Sequence, residues 1–209
     1  MATMHYLFFG ILSVAVLFLG RAGTAAIREQ DVPSGYTELR SADPLVEHGD
    51  AVAINDYIGS DLGKRIIDSA VQEIGVQEAT GNNDGPRVEA NLRYVGLGKG
   101  YAWCAAFVSW CYGRAGRPLP RNAWCPALFP MARRYTAAQI GQGSIRQADL
   151  FAIYSSSLRR INHVGLVRQQ KGNWIVTVEG NSANRVLSKR RPLATIYAFS
   201  NWLDWKEEG

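Results

Sequence analysis

Three residue types that together perform nucleophilic catalysis follow one another in this sequence. Cys104 stands at the start of the apolar run "WCAAFVSWC", where a helix N-terminus would favour the thiolate, the reactive form of cysteine. His163 is the only histidine after residue 60 and therefore the candidate base. Glu179 interrupts an apolar strand pattern, which is costly for a carboxylate unless it is paired. This set predicts acyl transfer through a thiol, with Glu179 or Asn181 orienting the imidazole.

Each of these residues also has an ordinary structural interpretation. Cysteine is among the most buried residue types, so Cys104 could be a core thiol. His163 could bond a backbone carbonyl at a strand end, and Glu179 could form a salt bridge with a nearby arginine. The sequence alone leaves these alternatives open.

The surrounding pattern predicts helices first and strands afterwards. Apolar residues at helical spacing predict an amphipathic helix in "SDLGKRIIDSAVQEIG", which begins at Ser60 or Asp61 and stops at Gly75. A short helix is predicted over 88–95, a buried one over 104–112 and another over 127–135. Period-two alternation predicts strands in "DLFAIY", "NHVGLVRQ", "NWIVTVEGN" and "ATIYAF". The predicted class is α+β, with N-terminal helices packed on a C-terminal antiparallel β-sheet.

The first 26 residues differ from the rest of the chain. They contain the uncharged run "YLFFGILSVAVLFLG", which is shorter than the roughly 20 apolar residues of a membrane span. We predict a signal peptide over 1–26, with cleavage near Ala26. Because no Lys or Arg precedes the run, an uncleaved anchor is the alternative. Residues 27–59 are polar and read as an arm or linker, and residues 60–209 form the domain.

The charge pattern limits the classes of partner that we expect the protein to bind. The formal net charge is +5, and one unit of it, Arg21, lies in the predicted signal peptide. No Lys/Arg run is interleaved with aromatic residues, which argues against a nucleic-acid partner. The short clusters "SLRR" and "SKRRP" favour an anionic polymer such as a cell wall. No stable membrane association is expected after signal cleavage.

The segments "WCAAFVSWC", "NHVGLV" and "VEGNS" occur in an order and spacing that resembles the CHAP family of cysteine, histidine-dependent amidohydrolases and peptidases. This family is related to the NlpC-type and papain-like cysteine hydrolases, and the resemblance covers roughly residues 60–200. It implies a papain-like architecture. By this resemblance Cys104 is the nucleophile, His163 the general base, Glu179 the orienting acid and Asn181 a further polar member.

The resemblance also implies a function. Such proteins cut amide bonds in bacterial peptidoglycan, as N-acetylmuramoyl-L-alanine amidases or as endopeptidases of the stem peptide and cross-bridge. No cofactor or metal is expected, the location is periplasmic or secreted, and an attacking cell would need an inhibitor or immunity protein. Two other functions fit the same residues: a catalytically silent wall-binding protein, and a cysteine acyltransferase that uses an amine acceptor.

For several further residues the sequence allows two structural or functional interpretations. Tyr101, Trp103 and Trp124 could wall a substrate cleft or could pack in the core. Cys111 and Cys125 could form a disulfide or remain thiols, of which Cys111 would be buried. The stretch 82–84 is expected to be a turn, because its single carboxylate, Asp84, is few for calcium. The backbone N–H of Cys104 is the expected oxyanion donor.

Overall fold

The computed structural model describes residues 61–204. The predicted signal peptide, the predicted arm over 27–59 and Ser60, one of the two predicted starts of the first helix, lie outside the described residues. These three predictions therefore stay predictions. The other two histidines of the sequence, His5 and His48, lie in the same part of the chain. Within the described part of the chain, no helix is both long enough and apolar enough to cross a membrane.

Four α-helices and three 3₁₀ turns occur in the described residues. They are α1 (61–71), α2 (Pro86–Tyr94), α3 (Cys104–Arg114) and α4 (Ala137–Gly141), with 3₁₀ turns at Cys125–Leu128, Met131–Arg133 and Leu193–Thr195.

Helix α1 is amphipathic, as its spacing predicts. Leu62, Ile66 and Ile67 are buried while the opposite face is exposed. The helix ends at residue 71 and not at Gly75. A turn follows, in which Gly75 has a left-handed φ of 95° that glycine adopts without strain. Ile74 falls in this turn and is 40% exposed, so it does not belong to the apolar face.

Helix α3 is the central element of the core, as predicted from its apolar sequence. Its first five residues and Cys111 and Tyr112 are buried. The buried hydroxyl of Ser109 donates to the carbonyl oxygen of Asn122, and that of Tyr112 donates to the carbonyl oxygen of Ala148, so both buried hydroxyl groups of the helix have partners. Helix α3 packs on α2 and on two strands of the sheet.

The predicted helix over 127–135 is wrong. This segment forms the 3₁₀ turns Cys125–Leu128 and Met131–Arg133. Pro126 and Pro130 lack the N–H groups that a continuous helix needs and disfavour helical geometry at the residues before them. The chain therefore makes two tight turns here.

Five antiparallel strands form one sheet in the order β4-β3-β2-β1-β5. They are β1 (Leu150–Ser155), β2 (Arg160–Lys171), β3 (Trp174–Ser182), β4 (Arg185–Pro192) and β5 (Ala198–Ser200). The predicted α+β class, with helices preceding an antiparallel sheet, is confirmed.

Two strands differ from the predictions. Strand β4 was not expected, because its sequence "RVLSKRRP" is rich in charge; charged residues are frequent on edge strands, and β4 lies at an edge of the sheet. Of "ATIYAF" only the end is a strand, because Leu193–Thr195 forms a 3₁₀ turn.

Candidate active site

Cys104 is the first residue of α3. The residue before it, Trp103, provides no side-chain cap, and the first turn contains no acidic residue. The free N–H groups of this turn and the helix dipole therefore face no competing anion and favour a negative charge on the sulfur. The chain reaches this point through Gly96 and Gly100, which have left-handed φ values of 81° and 94°.

Three groups surround the Cys104 sulfur. The Sγ atom of Cys125 lies 3.4 Å away, and the side chain of His163 and the backbone N–H of Val164 are close enough to stabilise a negative charge on the sulfur. The hydrogen bond from Cys125 is the strongest influence, and it lowers the pKa of Cys104 well below its ordinary value against the opposing effect of burial. His163 and the Val164 N–H lower this pKa further.

The distance between α3 and the sheet is set by a glycine. A Cβ atom at Gly180 of β3 would lie 2.6 Å from the Cβ of Phe107, far inside van der Waals contact. Only glycine lets the strand approach the helix this closely. The contact holds the first turn of α3 near the residues of β2 and β3 that complete the site.

His163 lies in β2 between the thiol and a carboxylate. Its Nε2 atom is 2.8 Å from Oε2 of Glu179, which leaves Nδ1 as the ring nitrogen for Cys104. Burial lowers the pKa of His163, but the hydrogen bonds and the charges of Cys104 and Glu179 outweigh it and raise the pKa to about 9. The two shifts act together and favour a thiolate at Cys104 and an imidazolium at His163.

Glu179 is fully buried and accepts hydrogen bonds from three side chains. Besides His163, the Thr177 hydroxyl donates at 2.6 Å, and Nε and Nη2 of Arg191 donate at 2.6 Å each. Burial raises the pKa of Glu179, but the bonds from Arg191, His163 and Thr177 lower it to about 2. Glu179 thus contacts the imidazole and at the same time forms the salt bridge with an arginine that its ordinary structural interpretation predicts.

A second glycine makes room for this carboxylate. A Cβ atom at Gly165 of β2 would lie 2.7 Å from the ring of Phe151 and 2.9 Å from Cγ of Glu179. The Phe151 ring also meets the imidazole of His163 edge to face, with centroids 6.4 Å apart. The space above Gly165 is therefore what lets an aromatic ring and the carboxylate pack beside the imidazole.

The sequence analysis did not identify Thr177 and Arg191 as members of the site, and it did not predict that Cys125 lies beside Cys104. Thr177 had a signal, because residues two apart in a strand face the same side and Thr177 precedes Glu179 by two. Arg191 had none, because it lies in the strand that was not recognised. The placement of Cys125 depends on the loop after α3, whose path no periodicity reveals.

Asn181 is not brought to the thiol and the imidazole by any described hydrogen bond. Its Nδ2 donates to Oδ1 of Asn83 at 3.1 Å. The pairing of β3 with β4 is irregular between Glu179 and Ser182, and Asn181 has a left-handed φ of 52°. This irregularity directs Asn181 to the loop that precedes α2, so the structure does not support its predicted place beside His163.

A cavity of about 190 Å³ opens beside Cys104. Tyr101 and Trp124 line it and are 57% and 58% exposed, as expected of cleft walls. Trp103 does not line it: the indole is fully buried, and its N–H donates to Glu78 at 2.9 Å. The other lining residues are Leu97, Ala102, Ala123, Cys125, Arg160 and Asn162.

The three cysteines are free thiols. The alternative of a Cys111–Cys125 disulfide is therefore wrong for this structure, because Cys125 contacts Cys104 instead. Cys111 is fully buried in α3, where burial raises the pKa of its thiol well above the ordinary value. It is the core thiol that its apolar helix predicts.

The stretch 82–84 forms a turn. Asp84 accepts hydrogen bonds from the backbone N–H and the hydroxyl of Thr80, and the side chain of Asn82 donates to the same hydroxyl. In the described part of the chain, no group of three or more histidine, cysteine or acidic residues is arranged to hold a metal ion.

The fold and the site define an α+β protein with a cysteine, a histidine and a glutamate at the junction of a central helix and an antiparallel sheet. Residues 96–181 match the family model of the CHAP domain. The match spans Cys104, His163 and Glu179, and it confirms the resemblance to the CHAP family, a family of peptidoglycan-hydrolase type.

Two further comparisons were informative in different ways. No curated protein sequence matches the chain significantly. A crystal structure from Staphylococcus aureus, described as similar to a lipoprotein of the NLP/P60 family, aligns with 67% of this chain at 16% identity and a TM-score of 0.40. The aligned part is 41% of that protein, so this chain matches less than half of its length.

Proposed function

We propose that this protein is an exported cysteine hydrolase that cleaves amide bonds in bacterial peptidoglycan. The observation that carries the proposal is the contact chain from the Cys104 thiol through His163 to the buried Glu179. Each link favours the charged form that acyl transfer needs: a thiolate to attack and an imidazolium to protonate the leaving amine.

The reaction has two halves. The Cys104 thiolate attacks the amide carbonyl carbon, His163 gives its proton to the leaving nitrogen, and the C–N bond breaks to leave a thioester. A water molecule, deprotonated by His163, then attacks the thioester carbonyl, and the C–S bond breaks to release a carboxylic acid and the Cys104 thiolate while His163 keeps the proton. The free backbone N–H of Cys104 is the proposed donor to the oxyanion in both halves.

Glu179 steadies the imidazole during both proton transfers. Its bond to Nε2 fixes the ring so that Nδ1 faces the sulfur. Arg191 and Thr177 occupy the remaining acceptor positions of the carboxylate. A carboxylate held in this way stays ionised while the imidazole exchanges its proton.

The cleft suits a peptide that carries carboxylates. Arg160, from the cluster "SLRR", lines the cavity together with Asn162, and Tyr101 and Trp124 offer exposed aromatic faces. Peptidoglycan stem peptides bear several carboxylates, and a cation beside the nucleophile would hold one of them. The predicted signal peptide supports a periplasmic or secreted location for the same substrate.

The test is digestion of defined muropeptides by the full chain, followed by mass spectrometry of the products. Release of an intact stem peptide with a free N-terminal alanine would identify an amidase, and a new amine within the stem or the cross-bridge would identify an endopeptidase. Cys104→Ala should form neither product, whereas the matched variant Cys111→Ala should form the same product as the wild-type chain at the wild-type rate.

Three results would overturn the proposal. Equal product formation by Cys104→Ala would exclude the thiol as nucleophile. Binding of sacculi by the wild-type chain without any cleavage would instead establish the silent wall-binding protein. Transfer of the acyl group to an added amine in preference to water would establish the acyltransferase.

A further inference from the structure

Hydrolysis needs one thiol, but two meet in this site. Cys125 is the first residue of a 3₁₀ turn, and its Sγ atom lies 3.4 Å from that of Cys104 although the two residues are 21 positions apart in sequence. Both sulfurs line the same cavity. The proposed acyl transfer gives Cys125 no covalent role.

We propose that Cys104 and Cys125 form a redox modification site, in which a hydroperoxide oxidises Cys104 and Cys125 then closes a disulfide that reversibly blocks the nucleophile. The formation of the disulfide rests only on the paired thiols. Its effect on catalysis rests on the proposed function.

The chemistry balances in two steps. The Cys104 thiolate attacks one oxygen of hydrogen peroxide, an S–O bond forms as the O–O bond breaks, and the departing hydroxide takes a proton to become water. The sulfur of Cys125 then attacks the sulfenic sulfur, an S–S bond forms as the S–O bond breaks, and the hydroxide leaves with the Cys125 proton as a second water. Two thiols lose two electrons in total, and the peroxide gains them.

The two cysteines suit the two different steps. Cys104 reacts first because its partners favour the thiolate, which is the form that peroxides oxidise. Cys125 stays protonated while it donates to that anion, because the hydrogen bond and charge of Cys104 raise its pKa. A sulfenic acid is neutral, so oxidation of Cys104 removes the effect of its negative charge; burial still raises the pKa of Cys125, and the positive charge of Arg160 lowers it.

The local geometry permits the bond. A disulfide requires the sulfurs to approach to about 2.05 Å, so each sulfur must move by less than the length of a bond. Cys125 starts a short turn in the loop after α3, next to the exposed Trp124, and is not held in a sheet or a long helix. Loop segments of this kind adjust more readily than the buried N-terminus of α3.

Cys111 provides an internal control. It belongs to the same helix as Cys104, but it is fully buried, and burial raises the pKa of its thiol. It contacts neither of the other sulfurs through a described hydrogen bond. Oxidation of the folded chain should therefore spare it.

The experiment treats the full chain with a small excess of hydrogen peroxide, stops the reaction with acid, and measures the intact mass without a reducing agent. The wild-type chain and Cys111→Ala should both lose two hydrogens in mass, and peptide mapping should join the peptides that contain Cys104 and Cys125. Cys125→Ser, which keeps a donor group beside Cys104, should instead gain oxygen atoms and progress to the sulfinic acid.

Recovery with dithiothreitol completes the test. After prolonged oxidation the wild-type chain should regain most of its own starting activity, and the recovered fraction should be several-fold larger than that of Cys125→Ser. Iodoacetamide labelling of Cys104 after reduction gives the same ratio without any substrate. The labelling readout therefore stands even if the chain hydrolyses no peptidoglycan amide.

Two outcomes would overturn the proposal. One is accumulation of sulfinic acid at Cys104 at the same rate in the wild-type chain and in Cys125→Ser. The other is a disulfide that involves Cys111. Either result would leave the proposed hydrolase function untouched, because the acyl-transfer steps form no bond to Cys125.

Discussion

The first and the third turn of helix α3 each carry a cysteine, and the two thiols are chemically opposite. Cys104 and Cys111 are both buried, at 5% and 0% exposure. The pKa of Cys104 is lowered by Cys125, by His163 and by a backbone N–H, against the effect of burial. The pKa of Cys111 is raised by burial and then by the charge of Glu73.

The difference shows that burial alone does not decide whether a cysteine is reactive. Both thiols are buried, and burial disfavours the charged form of each, but only Cys104 has donors that stabilise its anion. Those donors come from outside the helix: from the loop after α3, and from β2. The contrast between the two thiols can be tested by the alkylation of both, by substitution of the partner of the buried carboxylate, and by the pH dependence of hydrolysis.

The largest expected effect is a difference in alkylation. In the folded chain at pH 7, iodoacetamide should modify Cys104 at least about a hundredfold faster than Cys111, because the thiolate is the nucleophile. Peptide mapping by mass spectrometry at several times gives both rates. Denaturant should abolish the difference, and equal rates in the folded chain would refute the comparison.

The second effect concerns Arg191, the bidentate partner of Glu179. Arg191→Met leaves a buried carboxylate with two of its four hydrogen bonds removed, and it should lower the free energy of unfolding by about 3 kcal/mol. Arg191→Lys keeps the charge but loses the fork geometry and should cost less. Urea denaturation of both variants measures these losses.

If Arg191 only stabilised the fold, its replacement would not change the reactivity of the Cys104 thiol in the folded state. If Arg191 acts as a positioning residue through Glu179 and His163, the pH at which Cys104 becomes reactive to iodoacetamide should change in Arg191→Met and be restored in Arg191→Lys. An unchanged profile in Arg191→Met would limit Arg191 to a role in stability.

The smallest expected effect is a pH dependence that distinguishes the role of the Cys104 nucleophile from that of the His163 proton donor. The raised pKa of His163 means that its proton is present below about 9 and is lost as the pH rises through that value. Hydrolysis measured as kcat/KM should then fall by about tenfold per pH unit, because the leaving amine is no longer protonated. Alkylation of Cys104 needs only the thiolate and should not fall; a parallel decrease of both rates would contradict the assignment.

The elements that the sequence predicts best are those with a strong apolar period. The α+β class, the amphipathic face of α1, the central helix at Cys104 and the strand of His163 all follow from spacing. Strand β4 was not predicted, because its charged sequence is tolerated only at the edge of a sheet. The segment near Pro126 was predicted to be a helix although prolines interrupt it. For β4, tertiary position outweighed the local pattern, whereas the prolines are a local signal that the helix prediction overlooked.

The site was predictable to the same degree. The roles considered for Cys104, His163 and Glu179 could be read from residue types, because few placements satisfy a carboxylate inside an apolar strand. The bonds that Arg191 and Cys125 make could not, because they depend on which loop and which edge strand lie beside the helix. Trp103 shows the same limit: its indole is buried beside Glu78, and an aromatic side chain alone does not reveal which way it points.

The order of the site residues along the chain has a consequence for synthesis. The thiol is translated first, its base later, and the partner of the buried carboxylate only with β4, close to the C-terminus. A nascent chain that stops before β4 would have to bury Glu179 without Arg191, at a high free-energy cost. We therefore expect the reactive form of Cys104 to appear only after β4 has joined the sheet, so that shorter nascent chains carry ordinary cysteines.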